Sequence, residues 1–278
     1  MNEIDISVLV TTKNEEDNIA RCLNSLKNFS QIIVIDSHST DRTCEISKNT
    51  GAEVVLYRWD GKYPKKRQWC LDSLNIKNDW VFWIDADEVI TEECIDEIRD
   101  LFAISRTESG FFVRSSYVWN DSILRYGMKN NKLALINRTK MEFPVVDDLN
   151  IDGMGEIEGH YQPVRRSGCA EYSIGQLSCQ LIHHAYDNEA EWNARHIRYA
   201  QWEAVMTLND SWPDDPVLWR QIVKRHLRAS FMRPYIVFVF SYLVKAGFLD
   251  GGAGYSFAVS RKRYCDMIYR NIRLFKNR

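Results

Sequence analysis

Three carboxylates end an apolar stretch in the first third of the chain. The segment VFWIDADEVI (81–90) places Asp85, Asp87 and Glu88 directly behind residues that are typical of a buried strand. Side chains at i and i+2 of an extended backbone project to the same side, so Asp85 and Asp87 would repel each other unless a cation lies between them. Because carboxylate oxygens are hard ligands, this spacing indicates a site for a divalent cation.

A pair of histidines offers a further ligand to the same cation. His183 and His184 follow an apolar, strand-like run in the segment CQLIHHAYDN (179–188). A neutral imidazole at His183 could complete the coordination begun by Asp87, and the alternative is a structural histidine. His184 would lie on the other face of an extended segment.

The elements that must position these side chains alternate regularly between strand and helix. Apolar runs predict strands at 4–12, 31–36, 52–57 and 80–85, and helical spacing of apolar residues recurs between them. One intervening helix is predicted in KYPKKRQWCLDSL, with Pro64 in its first turn. Strands this apolar, separated by helices, favour an α/β fold with a mostly parallel sheet covered on both faces.

Polar residues stand where these strands end, and in such sheets ligands bind at the carboxyl ends. Thr11 and Glu15 follow the first strand, Asp36 ends the second, and Asp85 and Asp87 end the fourth. No G-x-G-x-x-G follows the first strand and no G-x-x-x-x-G-K-[ST] occurs in the sequence, so dinucleotide and P-loop sites lose their main support. An acidic crevice with a bound divalent cation instead predicts a diphosphate site.

The C-terminal region differs in charge from the rest of the chain. The net charge of 278 residues is only −2, yet from Arg220 to Arg278 thirteen lysines and arginines accompany only Asp250 and Asp266, with many aromatic residues between them. This pattern predicts helices that lie on an anionic membrane surface, or helices that pack on the main domain with solvated basic faces. No nucleic-acid recognition motif accompanies the charge, so we expect no nucleic-acid partner.

Cellular location and redox state follow from further patterns. With neither a signal-like start nor an apolar stretch long enough to span a bilayer, the sequence predicts a cytoplasmic protein, peripheral on the inner face of the cytoplasmic membrane. Seven cysteines without a CxxC pair predict reduced core thiols rather than a disulfide framework or a zinc site. The GGAG at 251–254 is interpreted as a hinge or a tight connection between helices.

Four blocks in a fixed order carry a resemblance to a known family. VLVTTKNEEDNIARCLNSL, IVIDSHSTDRT, KKRQW and WIDADE resemble the nucleotide-sugar-binding half of family 2 glycosyltransferases with the GT-A fold. Within that family the chain is most similar to lipopolysaccharide-core β-1,4-glucosyltransferases, whose closing segment resembles RPYIVFVFSYLVKAGFLDGGAGYSFAVSRKRY. The resemblance implies a Rossmann-like GT-A domain at 1–188 that binds donor and acceptor, and a helical extension at 189–278 that acts as a lid or a membrane-surface element.

The resemblance also implies site roles. The uridine of the donor would be held by Thr11, Glu15 and Asp36, and Arg67 would lie near the donor. Asp85 would lie near ribose and metal. Asp87 would ligate Mg²⁺ or Mn²⁺ together with His183, which belongs to a His-x-x-Tyr block completed by Tyr186.

An inverting transfer also needs a base that takes the proton of the acceptor hydroxyl. GMGEIEGHYQP (153–163) resembles the family block that holds it, which makes Glu156 the expected base. Gly155 stands where relatives often carry His, and Glu158 and Asp152 remain alternatives.

The function implied is a metal-dependent, inverting glycosyltransferase. It would move a hexose, with glucose from UDP-glucose as the leading candidate, onto a saccharide acceptor of a cell-envelope glycan such as a lipopolysaccharide core, the acceptor being free or lipid-linked. The alternatives are transfer to a capsule, an exopolysaccharide or a protein-linked glycan, and a catalytically silent sugar-binding or scaffold protein.

Overall fold

The structure is a computed structural model that describes residues 3–146, 161–169, 172–185 and 189–277. The strands in these residues are β1 (Ile4–Thr12), β2 (Phe29–Asp36), β3 (Glu53–Leu56), β4 (Trp80–Asp85), β5 (Glu88–Val89), β6 (Gly110–Trp119), β7 (Ser122–Ile123), β8 (Asn130–Asn137), β9 (Met141–Glu142), β10 (Val164–Arg165) and β11 (Ile174–His183).

The helices are α1 (Ile19–Ser25), α2 (Thr43–Asn49), α3 (Lys66–Ser73), α4 (Glu92–Phe102), α5 (Glu189–Leu208), α6 (Leu218–Leu227), α7 (Arg233–Val239) and α8 (Gly251–Lys276). A π-helical turn (Phe240–Val244) continues α7, and a 3₁₀ turn (Gly247–Asp250) precedes α8.

The central sheet has the strand order β3-β2-β1-β4-β8-β6-β11-β5. β1 pairs in parallel with β2 and with β4, and β2 pairs in parallel with β3. Beyond β4 the sheet continues with antiparallel pairs, since β8 is antiparallel to β4 and to β6, and β5 is antiparallel to β11. The predicted α/β fold is confirmed, and the parallel part coincides with the four strands expected from the sequence.

Both faces of β1, β2 and β4 are largely buried, which explains their continuous apolar sequences, whereas β3 at the edge of the sheet is partly exposed. Leu9 and Val10 of β1 point to opposite faces and neither is exposed to solvent, and the same holds for Ile33 and Val34 of β2. The polar side chains that could meet a ligand are those at the strand ends, since Ser7 within β1 and Gln31 within β2 hydrogen-bond each other in the interior. The end at which β1, β2 and β4 finish is therefore where a site can form.

Two local expectations are corrected by the structure. Pro64 lies before α3, not in its first turn, because Lys65 is extended and the helix begins at Lys66. The GGAG segment forms the first turn of α8 itself. There Gly254 packs so tightly that a Cβ atom would lie 1.9 Å from the carbonyl oxygen of Gly247.

The expectation of reduced thiols is wrong for one cysteine pair. Cys94 on α4 and Cys179 on β11 form a disulfide with Cα atoms 5.1 Å apart. Spacing along the sequence carries no signal for this pair, since the packing of α4 on β11 brings together residues that are 85 positions apart. Cys22, Cys70 and Cys265 are free, buried thiols, as predicted.

The described residues divide into two compact units. Within the described residues, the first unit draws on 3–116, 130–143, 161–169 and 172–185, and the second on 117–129, 144–146 and 189–277. The second unit thus includes two segments that precede the expected division at residues 188 and 189. In it α5 packs on α8 around a core that includes Trp119, Trp192, Phe257, Tyr264 and Ile268.

None of the described helices is by itself long and apolar enough to cross a bilayer. One pair bent by 72°, Arg233–Val244 with Gly247–Lys276, meets the criteria of length and composition only when its two parts are taken together.

Candidate active site

Strand register brings three of the predicted site residues side by side. Thr11 of β1 is paired with Asp85 of β4, and the next residue, Thr12, is paired with Asp36 of β2. The Thr11 hydroxyl donates to Asp85 Oδ1 at 2.9 Å. Asp36 is fully buried, and its carboxylate accepts from the backbone N–H and the hydroxyl of Ser39 at 2.8 and 2.5 Å. Asp36 therefore fixes the loop that follows β2 at this end of the sheet.

The turn between β4 and β5 carries the acidic motif and is held by backbone hydrogen bonds. Ala86 N–H donates to Thr11 O at 3.1 Å, and His184 N–H donates to Asp87 O at 2.8 Å. Asp85 N–H donates to the Glu88 carboxylate at 3.1 Å. Antiparallel pairing of β11 with β5 sets His183 opposite Glu88, which brings the histidine to the motif.

Asp87 and His183 lie together as the sequence predicts. His183 Nε2 is 3.2 Å from Asp87 Oδ1, and both side chains are nearly buried. Burial lowers the pKa of His183, but the charge and hydrogen bond of Asp87 outweigh it and raise the pKa to about 9. The protonated imidazole is therefore favoured in its pair with the Asp87 carboxylate, and ligation of a cation by His183 would require the loss of that proton, because only the neutral imidazole binds a metal.

Lys132 is a member of the site that the sequence analysis missed. It lies on β8, which pairs with β4 on the side away from β1, and its Nζ lies 2.8 Å from Asp85 Oδ2 and 2.5 Å from Glu88 Oε2. Glu88 is fully buried and also accepts from the Ser115 hydroxyl at 2.8 Å. The sequence contains little indication of this role, because Lys132 directly precedes the apolar residues LALI in NNKLALIN and so has the position of a solvated strand end.

The charges at this site perturb the pKa values of the pair that Lys132 forms with Asp85. Burial raises the pKa of Asp85, but the positive charges of Lys132 and Arg67 outweigh it and hold that pKa well below its usual value. Burial likewise lowers the pKa of Lys132, and Asp85 and Glu88 reverse this and raise it above the usual value. Both groups are therefore charged over the whole physiological pH range.

The remaining predicted residues lie around the same strand ends. Arg67, on α3, has its guanidinium carbon 5.9 Å from the centre of the Trp83 ring and 5.7 Å from that of Phe143. Glu15 lies in the loop after β1, where its carboxylate accepts from Asn18 Nδ2 at 2.8 Å. The Glu15 N–H donates to the hydroxyl of Thr43, the first residue of α2, at 2.8 Å.

The predicted base falls in a part of the chain about which the structure gives no description. Glu156, its alternatives Asp152 and Glu158, and Gly155 lie outside the described residues, as does Tyr186. Their roles remain predictions.

Among the described residues, no three His, Cys, Asp or Glu side chains converge in an arrangement that could hold a metal ion alone. Asp87 and His183 converge as a pair, whereas Asp85 is engaged by Lys132 and Thr11. Mg²⁺ is commonly bound through one or two carboxylates together with substrate phosphates and water. The pair therefore fits a divalent ion whose remaining ligands come from a diphosphate.

The chain is similar in sequence to known glycosyltransferases. The family model described as Glycosyl transferase family 2 matches residues 7–167. An uncharacterised glycosyltransferase of Rickettsia typhi is 46% identical over 99 residues, which are 35% of this chain and 33% of the relative. The SPbeta prophage-derived glycosyltransferase SunS of Bacillus subtilis is 35% identical over 83 residues, 29% of this chain and 19% of that protein. The matched part of the chain thus spans a third or less of the length of these curated relatives.

Among solved structures, a mannosyltransferase of Pyrobaculum calidifontis in complex with GDP-Man and Mn²⁺ has a similar fold. The TM-score is 0.55 at 14% sequence identity, and the match covers 99% of this chain and 89% of that one. At this identity the likeness extends to the fold alone.

Proposed function

The chain belongs to glycosyl transferase family 2, whose model matches more than half of its residues, and from that premise we propose that it is a metal-dependent, inverting glycosyltransferase. It transfers a hexose from a nucleoside-diphosphate sugar to a saccharide acceptor. The observation that carries the proposal is the convergence of Asp87 and His183 beside Asp85 at the carboxyl ends of the central strands.

Asp87 and His183 would hold Mg²⁺ or Mn²⁺ in this proposal. When bound, the ion supplies positive charge that offsets the charge developing on the departing diphosphate. Lys132 acts on the protein side of the site, where it neutralises Asp85 and Glu88 and so keeps the acidic turn in one shape.

The donor pocket is proposed to consist of the polar residues around the same strand ends. Their positions beside the acidic turn support a nucleotide site without identifying the base or the sugar. Glucose from UDP-glucose and a lipopolysaccharide-core acceptor are proposed on sequence resemblance alone. The residues assigned to the nucleotide are Thr11, Glu15, Asp36, Arg67 and Asp85.

Transfer with inversion is a displacement at the anomeric carbon from the face opposite the leaving group. The acceptor hydroxyl forms the new glycosidic bond while its proton moves to a carboxylate. We assign that carboxylate to Glu156, with Glu158 as the alternative. The bond from the anomeric carbon to the diphosphate breaks in the same step, and the nucleoside diphosphate leaves.

The proposal is tested by release of nucleoside diphosphate from a panel of UDP-, GDP- and dTDP-hexoses, with Mn²⁺ or with EDTA. GDP-mannose is included because the mannosyltransferase of similar fold was solved with GDP-Man. We expect one donor to be consumed only with metal, and Asp87→Ala to abolish the release. Asp96→Ala is the matched control, since Asp96 lies on α4 with a side chain 69% exposed and should leave release unchanged.

An absence of release would not by itself reject the proposal, because the acceptor is missing from that assay. If calorimetry also detects no metal-dependent nucleotide binding, the acidic turn is structural and the sugar-binding or scaffold alternative replaces the enzyme.

A further inference from the structure

Helix α6 presents its apolar side outward. Leu218, Trp219, Ile222 and Val223 are 46–72% exposed, and their spacing of one and four residues places them on one face of the helix. In a globular protein such a face normally packs on the core. No residue of α6 is buried.

The polar side of α6 faces the protein instead. Arg220 Nε and Lys224 Nζ lie 3.5 and 2.6 Å from Asp215 Oδ2, and the Asp215 side chain is nearly buried. The guanidinium of Arg228 lies 4.1 Å from the centre of the Trp212 ring. These contacts fix the orientation of the helix, so its exposed apolar side follows from specific polar packing.

The next helical segment, α7 with its π-helical turn, has the same inverted arrangement. Its two buried residues are small, namely Pro234 and Ser241, and Arg233 Nη2 lies 3.1 Å from Glu203 Oε2. Phe238 and Tyr242 are half-buried against Tyr255. Six large apolar residues of the segment are 40–64% exposed, and these are Tyr235, Ile236, Val239, Phe240, Leu243 and Val244.

These two sets follow each other along the chain, and Phe231 and Met232, which lie between them in the sequence, are exposed as well. We call all of these exposed residues, from Leu218 to Val244, the apolar face. Monomeric soluble proteins seldom expose so many large apolar side chains in one region, and such patches mark contacts with proteins or membranes.

We propose that the apolar face docks on a lipid bilayer with anionic headgroups. Arg225, His226 and Lys245 are exposed within the same stretch, and the chain from residue 220 to its end carries thirteen lysines and arginines against two aspartates. Apolar residues flanked by cations and aromatic rings match the interfacial region of a membrane, where anionic lipids add attraction. A second copy of this chain would instead bring like charges together.

Binding of the apolar face to a bilayer does not depend on the proposed catalysis. Through this face the protein would attach to the inner side of the cytoplasmic membrane, where the sequence predicts it to lie. A lipid-linked acceptor would be concentrated near a protein held there.

Vesicle flotation of the full chain tests the proposal, with phosphatidylcholine vesicles that contain or lack about a third phosphatidylglycerol. We expect the protein to float with anionic vesicles at low salt and to bind less at high salt. Ile222→Glu and, separately, Leu243→Glu should each lower the partition coefficient about tenfold or more. Ile104→Glu is the matched control, because Ile104 is 69% exposed and lies in the first unit. This variant should bind vesicles as the native chain does.

Both test residues are exposed, so the thermal midpoints of the variants should stay close to the native value, which separates lost binding from lost folding. The proposal is overturned if the native chain does not float, if it binds neutral vesicles equally well, or if Ile222→Glu binds normally. A dimer that Ile222→Glu dissociates, without vesicle binding, would assign the apolar face to a second copy and overturn it too.

Discussion

Replacing Lys132 with methionine should destabilise the first unit strongly, because it removes the positive charge that two carboxylates share. Methionine has nearly the same length and volume, so packing is retained while the ammonium is lost. Glu88 would then be a carboxylate with no exposure to solvent that has lost the ammonium 2.5 Å from its Oε2. Asp85, about 35% exposed, would keep part of its hydration.

The expected magnitude follows from that difference in burial. Breaking a buried ion pair by removing one partner costs about 3–5 kcal/mol, because the other charge remains buried. A pair with a partner as exposed as Asp85 contributes at most about 1 kcal/mol. The cost of Lys132→Met is therefore set by Glu88. Adding Glu88→Gln should recover about 2 kcal/mol, since the amide carries no charge and can still accept one hydrogen bond.

The assay is urea unfolding of the native chain, both single variants and the double variant, followed by tryptophan fluorescence and circular dichroism. The four midpoints form a double-mutant cycle that isolates the coupling between positions 88 and 132. Lys262→Met is the matched control, because Lys262 pairs with Asp266 at 2.7 Å with both side chains about 30% exposed. We expect it to cost less than about 1 kcal/mol.

A cost below about 1 kcal/mol for Lys132→Met would contradict the reasoning, since Glu88 would then tolerate burial without its cation. So would a double variant no more stable than Lys132→Met alone. The second result would mean that the lost stability came from packing.

Two further predictions concern the second unit. Gly254→Ala should cost about 1–3 kcal/mol in thermal unfolding, because its Cβ would lie 1.9 Å from Gly247 O, whereas Gly252→Ala, with nothing within 4 Å, should be neutral or stabilising by up to about 1 kcal/mol. Burial and the adjacent Glu203 raise the pKa of Tyr264, so the folded chain holds that proton more tightly than the unfolded chain. Stability should therefore fall as pH rises above about 10, and Tyr264→Phe should flatten that slope in urea unfolding at several pH values.

The sequence predicted the parallel half of the fold and much of the site because both depend on local pattern. The continuous apolar runs that end at Thr12, Asp36 and Asp85 follow directly from burial on both faces, and α5 begins where the helical extension at 189–278 was expected. Since parallel strands end at one edge of the sheet, residues at those ends could be expected to lie together.

What the sequence could not predict depends on contacts between distant segments. Lys132 is 47 residues from Asp85, and its place beside β4 is decided by antiparallel pairing of β8, for which the sequence has no local signal. The same holds for the disulfide between Cys94 and Cys179. The amphipathic pattern of α6 indicates two unlike faces, but the contacts with Asp215 decide which one faces the protein.

The ion pair between Lys132 and Glu88 also has a consequence for how this family can diverge. Loss of Lys132 alone leaves the Glu88 charge in the interior without its ammonium, whereas loss of Glu88 alone leaves Lys132 paired with Asp85. Homologues that lack a cation at position 132 should accordingly carry an uncharged side chain at position 88. Ancestral reconstruction would be expected to show the exchange at position 88 before, or on the same branch as, the exchange at position 132.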